Sequence, residues 1–206
     1  FNVAIDGPAG AGKSTVAKSV AALKNFIYVD TGAMYRAMAL YFLRKGIDKT
    51  DESAINAALG QVEITIRYEK GAQQVILNRE NVSGLIRTEE VGNMASATSV
   101  YKKVREKLVE LQKELARQAD VIMDGRDIGT CVLPDADVKI FLSASPEVRA
   151  RRRWLELQEK GAPDTYEAIL ADLIARDERD SNRAIAPLRP ADDAVLFDTS
   201  GMTLQE

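Results

Sequence analysis

The strongest constraint on this chain lies in its first fifteen residues. A short apolar run, Phe1-Asn2-Val3-Ala4-Ile5, leads through Asp6 into Gly7-Pro8-Ala9-Gly10-Ala11-Gly12-Lys13-Ser14-Thr15, and a helical pattern follows. Strand, G-x4-G-K-S turn and helix in this order form a phosphate-binding loop. Glycines let successive backbone N–H groups turn inward on phosphate oxygens, and the positive end of the next helix adds its dipole. Lys13 supplies a mobile charge for the β- and γ-phosphates, and Ser14 is placed to set its hydroxyl on a Mg2+ ion that bridges them. The stretch Gly7, Pro8, Ala9, Gly10, Ala11, Gly12, Lys13, Ser14 and Thr15 is therefore expected to bind a nucleoside triphosphate, with Mg2+ and ATP as the cofactor pair.

At 206 residues, 46% of them hydrophobic, the chain is long enough for one compact domain with insertions. No apolar run of about eighteen residues and no charged-then-apolar leader occurs, so a cytoplasmic location is expected. The opening at Phe1 without Met and the end at Gln205-Glu206 read as a trimmed chain. The absence of histidine removes the usual general base. A formal net charge of −3 lacks the bulk positive field of a nucleic-acid binder. The arginines cluster locally, which points to small anions. The lone cysteine, Cys131, has apolar neighbours and is expected to be a buried packing residue.

Helical spacing of apolar residues predicts a helix from about Lys13 to Leu23, and Phe26–Val29 reads as a strand ending in Asp30-Thr31-Gly32. A second substrate belongs beyond such a strand end. The next helix, about Ala33 to Lys45, carries Tyr35 and Arg36 in its first turn, where an anion would offset the arginine's unfavourable position. From about Gln61 to Val82 the period changes to two, giving a hairpin that turns at Glu69-Lys70-Gly71-Ala72. Val100, Val104, Leu108, Leu111 and Leu115 mark a long amphipathic helix. Arg105 stands one step off that stripe, either leaning over a cleft or solvating the helix. Val121-Ile122-Met123 is a buried strand ending in Asp124-Gly125-Arg126-Asp127-Ile128-Gly129-Thr130, again a site composition. Val138–Leu142 and Ala194–Phe197 supply two more strands. Between them lie Arg149, Arg151, Arg152 and Arg153, a break at Lys160-Gly161-Ala162-Pro163, and Arg176, Asp180 and Arg183 on one helical face. This arginine-bearing helical pair reads as a closing lid, with Trp154 packing its helices together. The fold class is α/β, a five-stranded parallel sheet with helices on both faces.

With IDGPAGAGKST, DTGAMYR, VSGLIRT, DGRDIGT, VLPDADVKIFL and RDERDSNRAIAPL in view, the chain resembles the bacterial cytidylate kinases, nucleoside monophosphate kinases of the P-loop kinase fold. The resemblance covers essentially the whole chain. It implies one domain over 1–206: a core of 1–32, 88–145 and 184–206, a monophosphate-binding region with the hairpin insertion at 33–87, and a helical lid at 146–183. It implies phosphorylation of CMP and dCMP by ATP in pyrimidine nucleotide metabolism; a P-loop kinase for another small acceptor, UMP, AMP or a shikimate-like molecule, is the alternative reading. By the same resemblance Arg36, Arg126 and Arg183 clamp the monophosphate beside Thr31 and Tyr35. Ser96, Arg105 and Asp127 select cytosine, while Arg176 and Asp180 contact the pentose. Arg152 and Arg153 join Lys13, Arg126 and Arg183 around the transferring phosphate. A monomer is expected. The family usually continues into a further helix beyond the end of this chain. A nucleotide-dependent switch or RNA-binding regulator is disfavoured by the acidic balance and by the lack of an Asn-Lys-x-Asp motif.

Overall fold

In a computed structural model that describes residues 1–203, the chain forms two compact units, Phe1–Ile27 with Ala119–Glu206 and Tyr28–Gln118. Residues 204–206, the tail of the stretch expected to complete the core, lie outside the described residues. The first unit contains β1 (Asn2–Asp6), α1 (Lys13–Lys24) and the opening residue of β2 (Ile27–Asp30). The second unit holds α2 (Thr31–Arg44), α3 (Glu52–Ala58), β3 (Ile64–Glu69), β4 (Ala72–Leu77), β5 (Glu80–Asn81), α4 (Glu89–Thr98) and α5 (Lys102–Gln118). The chain then returns to the first unit through β6 (Val121–Gly125), a π-helical turn (Ile128–Val132), β7 (Val138–Ser143), α6 (Pro146–Glu159), α7 (Tyr166–Ser181) and β8 (Val195–Asp198).

The main sheet runs β2-β6-β1-β7-β8, and β1 pairs in parallel with both β6 and β7. All five residues of β6 are buried, as a central parallel strand covered on both faces requires. Ala4, Ile5, Ile122, Met123 and Leu142 form its interior, and Ala17 and Ala21 present small side chains on α1, which packs on β6 and β1. The register sets Asp6 opposite Gly125 and Phe141. The carboxyl ends of three strands thus align beneath the phosphate loop, as open α/β sheets place ligands. Edge strand β8 is exposed along its whole length.

In the second unit α2 is buried along Met34, Ala37, Met38 and Phe42 and packs on α4, β4 and α5. The expected hairpin is β3 and β4, turning through Lys70 and Gly71, both at positive φ (52° and 78°). Two residues of β5 extend it to three strands. Sequence reading did not find α3 or α4. Each is short, and each begins at a side-chain cap: Asp51 accepts from Ala54 N–H and Thr88 from Val91 N–H.

Three expectations need correction. No loop separates β2 from α2, because Asp30 ends the strand and its carboxylate accepts Ala33 N–H at 2.9 Å, starting the helix at Thr31. Tyr35 and Arg36 therefore sit in the second turn, and the argument from a helix N-terminus does not apply to Arg36. Cys131 is exposed, while its neighbours Val132 and Leu133 are buried, since the π-helical turn buries Ile128, Gly129 and Val132 and leaves Cys131 on its outer side. The buried face of α5 is Val104, Arg105, Leu108 and Gln112, with Leu111 and Leu115 half-buried, so the expected stripe holds at Val104 and Leu108 but its buried centre lies toward Arg105 and Gln112. Among the described residues no helix is long and apolar enough to cross a membrane.

Candidate active site

The phosphate loop joins β1 to α1. Gly7 has φ +146°, and a Cβ there would lie 1.9 Å from the Leu142 carbonyl oxygen, so β7 admits only glycine at this position. Gly12 caps α1 at φ 95°, without a side-chain cap on the first amides and without an acidic residue in the first turn. The helix end is left electropositive, the condition for holding an anion. Lys13 is buried, and its Nζ donates to the Pro8 carbonyl at 2.7 Å. Burial, then the neighbouring Arg126, lowers its pKa to about 7 against the opposing pull of Asp124 and Asp6. Beside these residues opens a cavity of about 330 Å3, lined by Gly12, Lys13, Ser14, Arg149, Arg152 and Arg153 among others.

Ser14 Oγ donates to Asp124 Oδ2 at 2.5 Å. A hydroxyl and a carboxylate brought together at the end of a strand are hard oxygen donors suited to a magnesium ion that takes its remaining ligands from phosphate and water. No cluster of three or more Asp, Glu, Cys or His side chains among the described residues would hold a metal unaided. Asp6 lies one residue before the loop and accepts the N–H groups of Ile128 and Gly129, both at 2.7 Å. Burial pushes its carboxyl up to about 6, although both N–H groups and Lys13 favour its charged form.

A second group of side chains surrounds Asp180, which is 1% exposed. Arg126 Nε donates to its Oδ2 at 3.0 Å, and Arg183 donates to its Oδ1. Burial works against ionisation of Asp180, but Arg126, Arg183 and Arg176 outweigh it and hold the carboxyl below its usual range. Three guanidinium groups share one carboxylate, so the group keeps positive charge for an anion. Arg176, Asp180 and Arg183 thus form the common face that their spacing predicted. Arg152 donates to the Thr199 carbonyl at 2.6 Å, whereas Arg153 pairs with Glu156 at 2.9 Å and is half exposed.

Sequence reading assigned no role to Arg149, yet its side chain is 2% exposed and binds three places at once. Its guanidinium donates to Ala144 O at 2.8 Å, Ala9 O at 3.0 Å and both oxygens of Asp177 at 3.2 and 2.5 Å. It ties the phosphate loop to α6 and α7. Ala150, Ile169 and Leu173 form the core between those helices, with Trp154 packed on it as expected.

In the second unit Thr31 is buried and Arg36 donates to the Ile86 carbonyl at 3.4 Å. Gly92, on α4, faces the Arg36 guanidinium, from which a Cβ at that position would lie 3.9 Å away, an ordinary contact distance. Arg105 is 4% exposed, with its guanidinium carbon 5.9 Å from the centre of the Tyr35 ring. Its alternatives from sequence are thereby resolved: it points inward over an aromatic face. Ser96, on α4, is 7% exposed, and its Oγ has no hydrogen-bond partner among the described residues. Asp30 also pairs with Arg87 at 2.6 Å and exchanges two hydrogen bonds between its backbone and the Gln73 side chain.

Of the features that sequence reading passed over, Asp6 carries a legible signal, since it is a carboxylate ending an apolar strand; Asp124 stood in the site composition at the end of β6, without a role of its own. Arg149 and Asp177 carry none, because 28 residues separate them.

A phosphate loop on a five-stranded parallel sheet, with a buried lysine, a Ser–Asp oxygen pair and clustered arginines, defines an ATP-using phosphotransferase of the P-loop kinase fold. A solved structure of an uncharacterized protein from Eubacterium ventriosum ATCC 27560 shares this fold at a TM-score of 0.50 and 11% identity, over 97% of this chain and 89% of that one. The model for cytidylate kinase matches residues 3–206. The chain belongs to the cytidylate kinase family. It is 52% identical over its full length to a cytidylate kinase of Desulfitobacterium hafniense (strain Y51), covering 88% of that protein. It is 49% identical to the one of Bacillus pumilus (strain SAFR-032) and 47% identical to the one of Bacillus subtilis (strain 168), covering 92% of each.

Proposed function

We infer that this protein transfers the γ-phosphoryl group of ATP to the 5′-phosphate of CMP or dCMP, giving ADP and CDP or dCDP, a step of pyrimidine nucleotide metabolism. The observation that carries the reading is family membership over the whole chain; the Lys13 contact with Pro8, the Ser14–Asp124 pair and the Arg126–Asp180 contact support it. An acceptor phosphate oxygen is already anionic, so the new O–P bond forms as the β,γ-bridging bond breaks without a strong base. A chain that contains no histidine meets that demand. What the protein must supply is positioning and positive charge.

The loop amides of Gly7–Thr15 and Lys13 hold the triphosphate. Ser14 and Asp124 would hold Mg2+, which neutralises phosphate charge when bound. Arg126 and Arg183, fixed in orientation by Asp180, serve with Arg36 as the clamp on the acceptor's phosphate. Thr31 and Tyr35 stand beside Arg36. Ser96, Arg105 and Asp127 select the base, and the unpartnered hydroxyl of Ser96 supports that role because a buried donor without a partner is costly unless a ligand satisfies it. Arg176 and Asp180 serve the pentose, and Arg152 and Arg153 the transferring phosphate. Residues 33–87 act as the monophosphate-binding region and 146–183 as a lid that excludes water. The enzyme works as a monomer in the cytoplasm, which the family resemblance supports.

The test is a coupled assay of ADP formation with Mg2+-ATP and a panel of CMP, dCMP, UMP, AMP and shikimate. CMP and dCMP should be the preferred acceptors. Failure to form CDP from CMP, or a clear preference for AMP or shikimate, overturns the reading.

A further inference from the structure

Asp6 uses both carboxylate oxygens on one feature. They accept the N–H groups of Ile128 and Gly129, the first two residues of the π-helical turn, both at 2.7 Å. The opening amides of a helical turn are ordinarily satisfied by the residue just before it. Here that residue is Asp127, with φ −150° and ψ 28°, and its side chain makes no capping hydrogen bond. The cap comes instead from 122 residues away, out of the strand that feeds the phosphate loop. Its counterparts sit immediately after Arg126 and Asp127, the two side chains read above as phosphate clamp and base selector.

We propose that Asp6 is a positioning residue for acceptor recognition: by capping the turn in place of Asp127, it fixes the backbone that presents Arg126 and Asp127, and so sets affinity and selectivity for the cytosine nucleotide. This rests on the roles proposed for Arg126 and Asp127. Two features of the site agree with it. Asp6 is 4% exposed, so its hydrogen bonds do not compete with water. Gly129 is also hemmed in, since a Cβ there would lie 3.2 Å from Lys139 Cδ and 3.4 Å from Asp6 Oδ2, and Lys139 is itself tied to Asp193 at 2.8 Å. The turn is therefore held from both sides.

The test is steady-state kinetics of Asp6→Asn and Gly129→Ala beside wild type, varying CMP, UMP and ATP separately, with thermal unfolding to verify that each variant is folded. Asparagine keeps the volume but offers one acceptor and confronts the second N–H with an NH2 group. If the binding-competent turn falls to about a tenth of the molecules, the apparent KM for CMP rises about tenfold. The KM for ATP should move far less, and the preference for CMP over UMP should narrow. A merely structural contact would change melting temperature without altering that preference. If Asp6→Asn does not fold, Gly129→Ala carries the test, because it strains the same hydrogen bonds from the turn's side. A wild type that phosphorylates CMP while the folded variants keep its KM and selectivity, or raise both nucleotides' KM equally, overturns this inference alone. A wild type inactive on CMP overturns the functional reading on which it stands.

Discussion

Replacing Asp177 by alanine removes the carboxylate facing a guanidinium that is 2% exposed. Arg149 would keep its hydrogen bonds to the Ala144 and Ala9 carbonyls, at 2.8 and 3.0 Å, but would lose both contacts to Asp177. Removing one partner of a buried pair costs about 3–5 kcal/mol, because the remaining charge stays buried without compensation. Asp177 is itself 22% exposed, so some water reaches the pair and the lower end, about 3 kcal/mol, applies. For a chain of this size each kcal/mol lowers Tm by about 2–4 °C, giving a fall of roughly 6–12 °C. Calorimetry of wild type, Asp177→Ala, Arg149→Met and the double variant closes a cycle. In it, losing Asp177 should cost little once Arg149 is gone. The coupling should survive 1 M salt, which screens exposed pairs but not buried ones. An Asp177→Ala Tm within about 2 °C of wild type, or a coupling abolished by salt, would refute the linkage of loop to helices.

Ser96→Ala should leave Tm unchanged or slightly raised, because the hydroxyl it removes is buried with no hydrogen-bond partner among the described residues. The KM for CMP should nevertheless rise about tenfold, the worth of one hydrogen bond to a ligand, as acceptor-saturation kinetics will show. Arg105→Ala and Asp127→Ala should each weaken CMP binding much more than ATP binding in titration calorimetry; equal losses would remove them from the base site. Lys13→Met should abolish turnover and raise Tm at pH 7. The folded protein lowers the Lys13 pKa from 10.5 to about 7, so the unfolded chain binds more protons between those values and wild-type stability climbs as pH rises through them. The variant should lack that alkaline rise, and its advantage should shrink toward pH 10 in melts across pH. Asp6 has the opposite sign: with its folded pKa raised from 3.8 to about 6, wild-type stability should fall as pH rises through that interval.

The two halves of the fold were not equally legible. The long buried strands and the glycine-lysine turn announce themselves, because a parallel strand covered on both faces must be apolar throughout and a phosphate cradle must lack side chains. The face of α5 was read correctly at Val104 and Leu108 and missed at its polar positions. Arg105 and Gln112 occupy buried positions, and a periodicity argument counts them as solvent-facing unless something polar is known to await them. Asp30 looked like the end of a strand before a loop; whether it caps the next helix directly depends on backbone angles that composition does not encode. Cys131 was misplaced for a similar reason, since apolar neighbours say nothing about which way a π-helical turn faces.

The sequence by itself marked Gly7–Thr15 as a phosphate-binding loop, offered no histidine as a base, and showed which arginines are available to meet an anion. These are properties of local chemistry and spacing, carried by residues close together in the chain. Only the tertiary structure decided which charges are neutralised and which remain. It set Asp180 among Arg126, Arg176 and Arg183, joined Arg149 to Asp177 beneath the loop, and spent Asp6 on the turn that bears Asp127. Each of these depends on contacts between distant segments. The energy of a charge is fixed by its partner and by the water excluded around it, neither of which a linear pattern contains.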